Sequence, residues 1–209
     1  MRNVGHFDWR SPAVVAAGLC VGLACAPDWV IGNLALDRTS AGAGELWRLW
    51  SGHIVHFSLR HALFDAGAVL LFGRAAEALL GKRLVALTLL LALPLISIAL
   101  LTSVPDMREY RGASGLATIL GTLAGAALWR SRPDHRGFLA FLSILFVAKI
   151  ACDAWGPQTT LAALPLDVYV AWQAHLLSIA AAVAALSLAD RDRGRAIAGL
   201  AIRTSDSCG

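Results

Sequence analysis

Six apolar segments divide the 209-residue chain, at about residues 12–27, 61–80, 84–104, 113–130, 138–155 and 168–189. A helix that crosses a bilayer takes about 20 predominantly apolar residues, and each segment meets or approaches that length. The pattern predicts an all-α membrane protein, a six-transmembrane-helix bundle over residues 12–189. Residues 1–11 form a short N-terminal segment, and 190–209 a polar tail without a motif. The first segment also admits a signal peptide, because Ala24-Cys25-Ala26 mimics a small-residue cleavage site. Pro27 after that cut disfavours processing, so an uncleaved helix is expected.

Composition agrees with this division. Hydrophobic residues make up 57% of the chain and charged residues 15%, against about a quarter charged in soluble domains. The net charge of +4 comes mainly from arginine, 16 Arg against 2 Lys. With no soluble basic face, these arginines read as topology signals and headgroup anchors, not as nucleic-acid contacts. If the N-terminus is cytoplasmic, the inner segments carry eleven Lys/Arg and the outer loops five, with Arg74 set aside inside the second segment. That excess places both termini in the cytoplasm. The four cysteines, Cys20, Cys25, Cys152 and Cys208, form neither a disulfide framework nor zinc-site spacing.

The first outer loop, about 28–60, is long and carries Trp29, Trp47 and Trp50 among scattered apolar residues. It is expected on or in the outer leaflet, although each tryptophan alone fits an ordinary aromatic belt.

Against this frame the polar residues within the segments stand out. Ser114 lies in Gly112-Ala113-Ser114-Gly115 at the start of the fourth segment, His61 opens the second, and His175 lies in the sixth. These three segments run from outside to inside, and at 1.5 Å per residue His175 sits roughly 10 Å below its entry point. Polar groups at such depth are costly, which makes their alignment informative. Ser114, Thr118, Gly121 and Gly125 share one helical stripe; His175, Ser178, Ala182 and Ala185 share another. Small residues let membrane helices pack closely. A packing serine and a structural histidine explain each residue singly, whereas the aligned set favours a nucleophile with its general base.

Gly112-Ala113-Ser114-Gly115 resembles the GxSG motif of rhomboid intramembrane serine proteases, and Ala174-His175 their AH motif. Trp47-Arg48 through His56, His61 and Asp65 resembles the rhomboid WR loop followed by H-x4-H-x3-N, and Glu77 and Gly81 fit the polar end of the second helix. The ordered set covers about residues 45–190. Within the family the chain is most similar to the rhombosortases, short bacterial rhomboids. The features carrying that likeness are Tyr110-Arg111 before the serine motif, Lys149 and Asp153 four apart, and Val168-Tyr169-Val170 before Ala174-His175.

The resemblance implies a nucleophilic Ser114, a general base and acid at His175, and no cofactor or metal. It also implies an oxyanion site made by the Ser114 backbone N–H and the His61 side chain, with Gly112 and Gly115 as supports. Its substrates would be transmembrane proteins with C-terminal anchors of the Gly-Gly type, cut at the outer face of the bacterial inner membrane. Asp65 departs from the usual asparagine; an ionised aspartate only accepts hydrogen bonds, so it either stays protonated or orients His61. Thr118 replaces a common aromatic and Ser178 a common glycine. Lys149 and Asp153 fit a mutually neutralising pair. His56 is expected to brace the outer loop, and His53 has no assigned part.

Two other readings remain. A catalytically inactive rhomboid-like protein binding membrane clients would lack the serine or the histidine, and both are present. A transporter with a metal held by His53, His56, His61 and Asp65 would need those ligands to converge on one point.

Overall fold

The computed structural model describes residues 8–155 and 171–206. The Val168-Tyr169-Val170 lead-in and Cys208 lie outside the described residues. Six longer helices coincide with the six apolar segments: α1 (Pro12–Leu23), α5 (Leu59–Leu80), α6 (Lys82–Ser103), α7 (Ser114–Ser131), α8 (Arg136–Trp155) and α9 (Trp172–Asp206). Three regions are long and apolar enough to cross a membrane by length and composition: Lys82–Ser103, Pro133–Trp155 and Trp172–Asp192.

Two boundaries differ from the sequence reading. α1 stops at Leu23, four residues before Pro27, which caps the short α2 (Asp28–Leu34). α9 continues to Asp206, through most of the predicted tail, because residues 190–206 contain no proline and only two glycines, Gly194 and Gly199.

α7 is the central helix. Leu116, Ile119, Leu120 and Leu123 are buried on it, and it packs against both α5 and α9. Gly121 gives the Phe72 ring of α5 room, its nearest carbon lying 3.5 Å from where a Cβ would stand. α8 is peripheral, with Ile150 its one buried side chain among the described residues and Phe138, Ile144 and Val147 turned outward. α6 likewise exposes Leu91 and Leu95. Apolar surface of this kind suits lipid and not water.

α1 is fastened to α5 at its N-terminus. Ser11 caps the helix and donates to the Glu77 carboxylate at 2.6 Å. The same carboxylate accepts the Ala13 N–H at 2.8 Å and the Arg74 guanidinium at 2.9 Å. Negative charge at a helix N-terminus satisfies otherwise orphaned donors. A Cβ at Gly73 would fall 2.4 Å from the Ala13 side chain, so only glycine allows this approach.

The segment predicted as an outer loop is ordered into α2, β1 (Leu36–Asp37), α3 (Arg38–Gly42) and α4 (Arg48–Ser51). Buried Arg48 holds it together, paired with Glu45 at 2.6 Å and donating to the Gly32 and Ala35 carbonyls at 2.6 and 2.7 Å. β1 pairs antiparallel with β2 (Glu109–Tyr110), Leu36 opposite Tyr110, which ties the loop to the approach of α7.

The loop also docks on α6, where Pro94 interrupts the helix ladder. Proline has no N–H, so the Leu90 carbonyl loses its helical donor; the Trp50 indole N–H replaces it at 2.9 Å. His53 Nε2 meets the Leu93 carbonyl at 3.2 Å and the Ser97 hydroxyl at 3.0 Å, while Ser97 donates to the Leu49 carbonyl. Arg38 donates to the Val104 carbonyl at 2.7 Å and to that of Leu101, satisfying the end of α6. His53, unassigned from sequence, is therefore a docking residue.

Burial pushes the His53 imidazole down to about 4, partly offset by its bond to Leu93. The other titratable ring against it, Tyr110, is pushed upward by burial and titrates far from this range. Because an unfolded histidine titrates near 6.5, the unfolded chain binds more protons between about pH 6.5 and 4. The His53 contribution to stability is thus full above pH 6.5 and lost as pH falls toward 4. Thermal unfolding in detergent should show this decline, and His53→Asn should flatten it.

Candidate active site

The backbone before α7 is held on several sides. Gly112 has φ +138°, a conformation that L side chains rarely adopt. A Cβ there would also lie 3.0 Å from His61 Cε1 and 3.1 Å from His61 Nε2. The Gly112 N–H donates to the Gly52 carbonyl at 3.1 Å, and the Tyr110 hydroxyl donates to the Gly112 carbonyl at 3.1 Å. The next N–H, of Ala113, donates to His56 Nε2 at 3.2 Å. Burial raises the Tyr110 phenol far above its usual value, so it stays a donor.

Ser114 is the first residue of α7, and its side chain is a hydrogen-bonding neighbour of Tyr110. A Cβ on Gly115 would stand 3.2 Å from both Ser178 Oγ and Tyr110 Oη. The second motif glycine thus lets α9 close on α7 beside the serine. Ser178, buried three residues past His175, has no hydrogen-bond partner for its hydroxyl among the described residues.

His175 is buried against α7 one turn below Ser114. Its Nδ1 lies 3.1 Å from Thr118 Oγ1. That hydroxyl also donates to the Ser114 carbonyl, four residues back, at 2.8 Å. A hydroxyl has one proton. With it committed to the carbonyl, Thr118 accepts from His175 Nδ1–H, which leaves Nε2 as the accepting nitrogen. The Phe146 ring packs edge-on against His175, centroids 5.6 Å apart. Lys149 Nζ lies 3.4 Å from His175 Nε2 and contacts Asp153, whose Oδ2 is 4.0 Å from the same nitrogen.

Asp65 sits between two histidines. Its Oδ2 is 3.2 Å from His56 Nε2 and 3.3 Å from His61 Nε2. Both rings are buried, at right angles, with centroids 4.9 Å apart, and Phe57 stacks parallel to His61. His56 does more than brace the loop, since it also receives the Ala113 N–H.

A family model for the Rhomboid domain matches residues 43–190, most of the chain and every residue of this cluster. The chain belongs to the rhomboid family. Rhomboids are membrane proteins and generally intramembrane serine proteases. Among curated proteins, none matches this chain.

In this rhomboid Tyr110 adjoins Gly112, Ser114 and Gly115, Thr118 links His175 to the Ser114 carbonyl, and His61 and Asp65 face Gly112. Lys149 and Asp153 do pair, and they pair against His175. Phe146 escaped the sequence reading. Its signal was spacing: Phe146, Lys149 and Asp153 stand at offsets 0, 3 and 7, one face of α8. That ring supplies the aromatic contact on His175 that Thr118 does not.

Proposed function

We propose that this rhomboid is an active intramembrane serine endopeptidase with Ser114 as nucleophile and His175 as general base and acid. The observation that supports this best is the Thr118 bridge, which favours a His175 proton on Nδ1 and leaves Nε2, facing Lys149 Nζ at 3.4 Å, as the accepting nitrogen. That is the tautomer a general base needs. In the proposed cycle Ser114 turns from Tyr110, gives its proton to His175 Nε2 and attacks the scissile carbonyl. His175 returns the proton to the leaving amine, and water then releases the acyl group by the same route. The Ser114 N–H, at the helix start, and His61 receive the oxyanion.

The six helices α1, α5, α6, α7, α8 and α9 are proposed to cross the bacterial inner membrane, with both termini cytoplasmic. The substrates would be exported proteins bearing a C-terminal anchor: a Gly-Gly-type motif, a transmembrane helix and a basic tail. Tyr110-Arg111 ahead of the motif and the Lys149/Asp153 pair support this rhombosortase reading. Co-expression with a reporter carrying such an anchor tests it: the reporter should be released by the wild type and retained with Ser114→Ala. Release by both would sink the proposal.

Thr118→Val keeps the side-chain shape and removes the hydroxyl. Cleavage should slow by roughly 10–100-fold, part of what positioned proton transfer contributes, in kcat with KM little changed. Thr118→Ser should restore most of the rate.

A further inference from the structure

The His56–Asp65–His61 cluster holds more lone pairs than protons. His56 Nε2 accepts the Ala113 N–H, so its ring proton is on Nδ1. Its lone pair then stands 3.2 Å from an Asp65 oxygen, acceptor against acceptor. His61 Nε2 meets that same oxygen at 3.3 Å. Such a group is completed by a proton or by a cation. The three ligand atoms lie within 4.8 Å of one another. A tetrahedral zinc, about 2.0–2.1 Å from each ligand, would space neighbouring donor atoms by about 3.3 Å, close to both separations seen. Nδ1 of each histidine is buried without a partner among the described residues, which suits rings protonated there and ligating through Nε2.

We propose that His56, His61 and Asp65 form a zinc-class metal site that inhibits this rhomboid. Two imidazoles and one carboxylate suit zinc or cobalt, whereas magnesium favours an oxygen cage. A metal on His56 Nε2 would take the lone pair that now receives the Ala113 N–H, releasing the peptide that leads into Ser114. A metal on His61 would remove that ring from the oxyanion site. The inhibitory step rests on the protease function proposed above; metal binding does not.

Binding is tested on detergent-solubilised Ser114→Ala protein, stripped with a chelator and titrated with zinc by calorimetry and with cobalt by visible absorption. One metal per chain and the intense absorption of tetrahedral cobalt are expected. Asp65→Asn keeps the side-chain shape, and His56→Ala removes one ligand. Each should weaken binding by more than about 10-fold, the lower end of what losing even a supporting group costs. His135→Ala, at an exposed histidine, should not. Absence of one-to-one binding, or binding unchanged in both Asp65→Asn and His56→Ala, would overturn the site. In the wild type, zinc should stop reporter cleavage, a chelator restore it and magnesium leave it unaffected. Stoichiometric zinc with undiminished cleavage would overturn the inhibitory role alone. If no cleavage occurs under any condition, the protease reading fails while the binding result still decides the site.

Discussion

Ser114→Ala is expected to abolish proteolysis, lowering the rate by about 10⁶-fold and so below detection in a gel-based reporter assay. His175→Ala should do the same, and the double variant should be no slower than either single one. Nucleophile and base act as a unit, so removing the second after the first takes nothing further away. Folding is not expected to mask the result. Ser114 sits at the mouth of α7, and the core below it is carried by Leu116, Ile119, Leu120 and Leu123. The bonds that shape the preceding turn come from Gly52, Tyr110 and His56, and Ser114→Ala leaves each in place. A cleavage rate that survives Ser114→Ala would move the nucleophile elsewhere. A double variant markedly slower than both singles would mean that the two residues act in separate steps.

What the sequence made legible followed from periodicity and cost. Apolar segment lengths located the longer helices, because backbone in lipid must satisfy itself. Polar side chains inside those segments marked the candidate site, since Ser114, His61 and His175 would be expensive there without a purpose. The stripes of small residues indicated in part which faces meet: Thr118 contacts His175 across them, whereas Gly121 of the same stripe meets Phe72 of α5.

Three matters were illegible, each for a physical reason. The folding of residues 28–58 depends on partners distant in sequence: Arg48 on the Gly32 and Ala35 carbonyls, Trp50 on a carbonyl freed by Pro94. Hydropathy registers such a segment only as amphipathic. The role of Thr118 turns on a single proton and where it is spent, which residue type does not reveal. Phe146 was hidden because an aromatic on an apolar helix is ordinary; only its face, shared with Lys149 and Asp153, sets it apart.

His61→Ala is expected to slow cleavage by about 10²–10³-fold, the usual cost of one oxyanion donor, and to do so in kcat with KM little changed. The developing charge exists only in the transition state, so substrate binding should not register the loss. His61 is well placed for the task, packed beneath Gly112 and parallel to Phe57. In the proposed cycle Asp65 sets how His61 performs it. In the metal-free protein its carboxylate oxygen, 3.3 Å from His61 Nε2, accepts an N–H from that nitrogen, which fixes the ring. The buried Nδ1, without a partner among the described residues, then offers the remaining face to the oxyanion when it carries a proton. In this arrangement Asp65→Ala should slow cleavage by about 10-fold or more, and the loss should nearly vanish once His61 is already alanine, because Asp65 acts through that ring. Asp65→Asn separates orientation from charge. The amide still accepts the His61 N–H but no longer supplies negative charge near the reaction. A rate that falls in Asp65→Asn shows that the carboxylate is needed to hold a proton on His61. A rate that rises shows instead that its charge opposes the oxyanion, and that the asparagine usual in the family is the better residue for turnover.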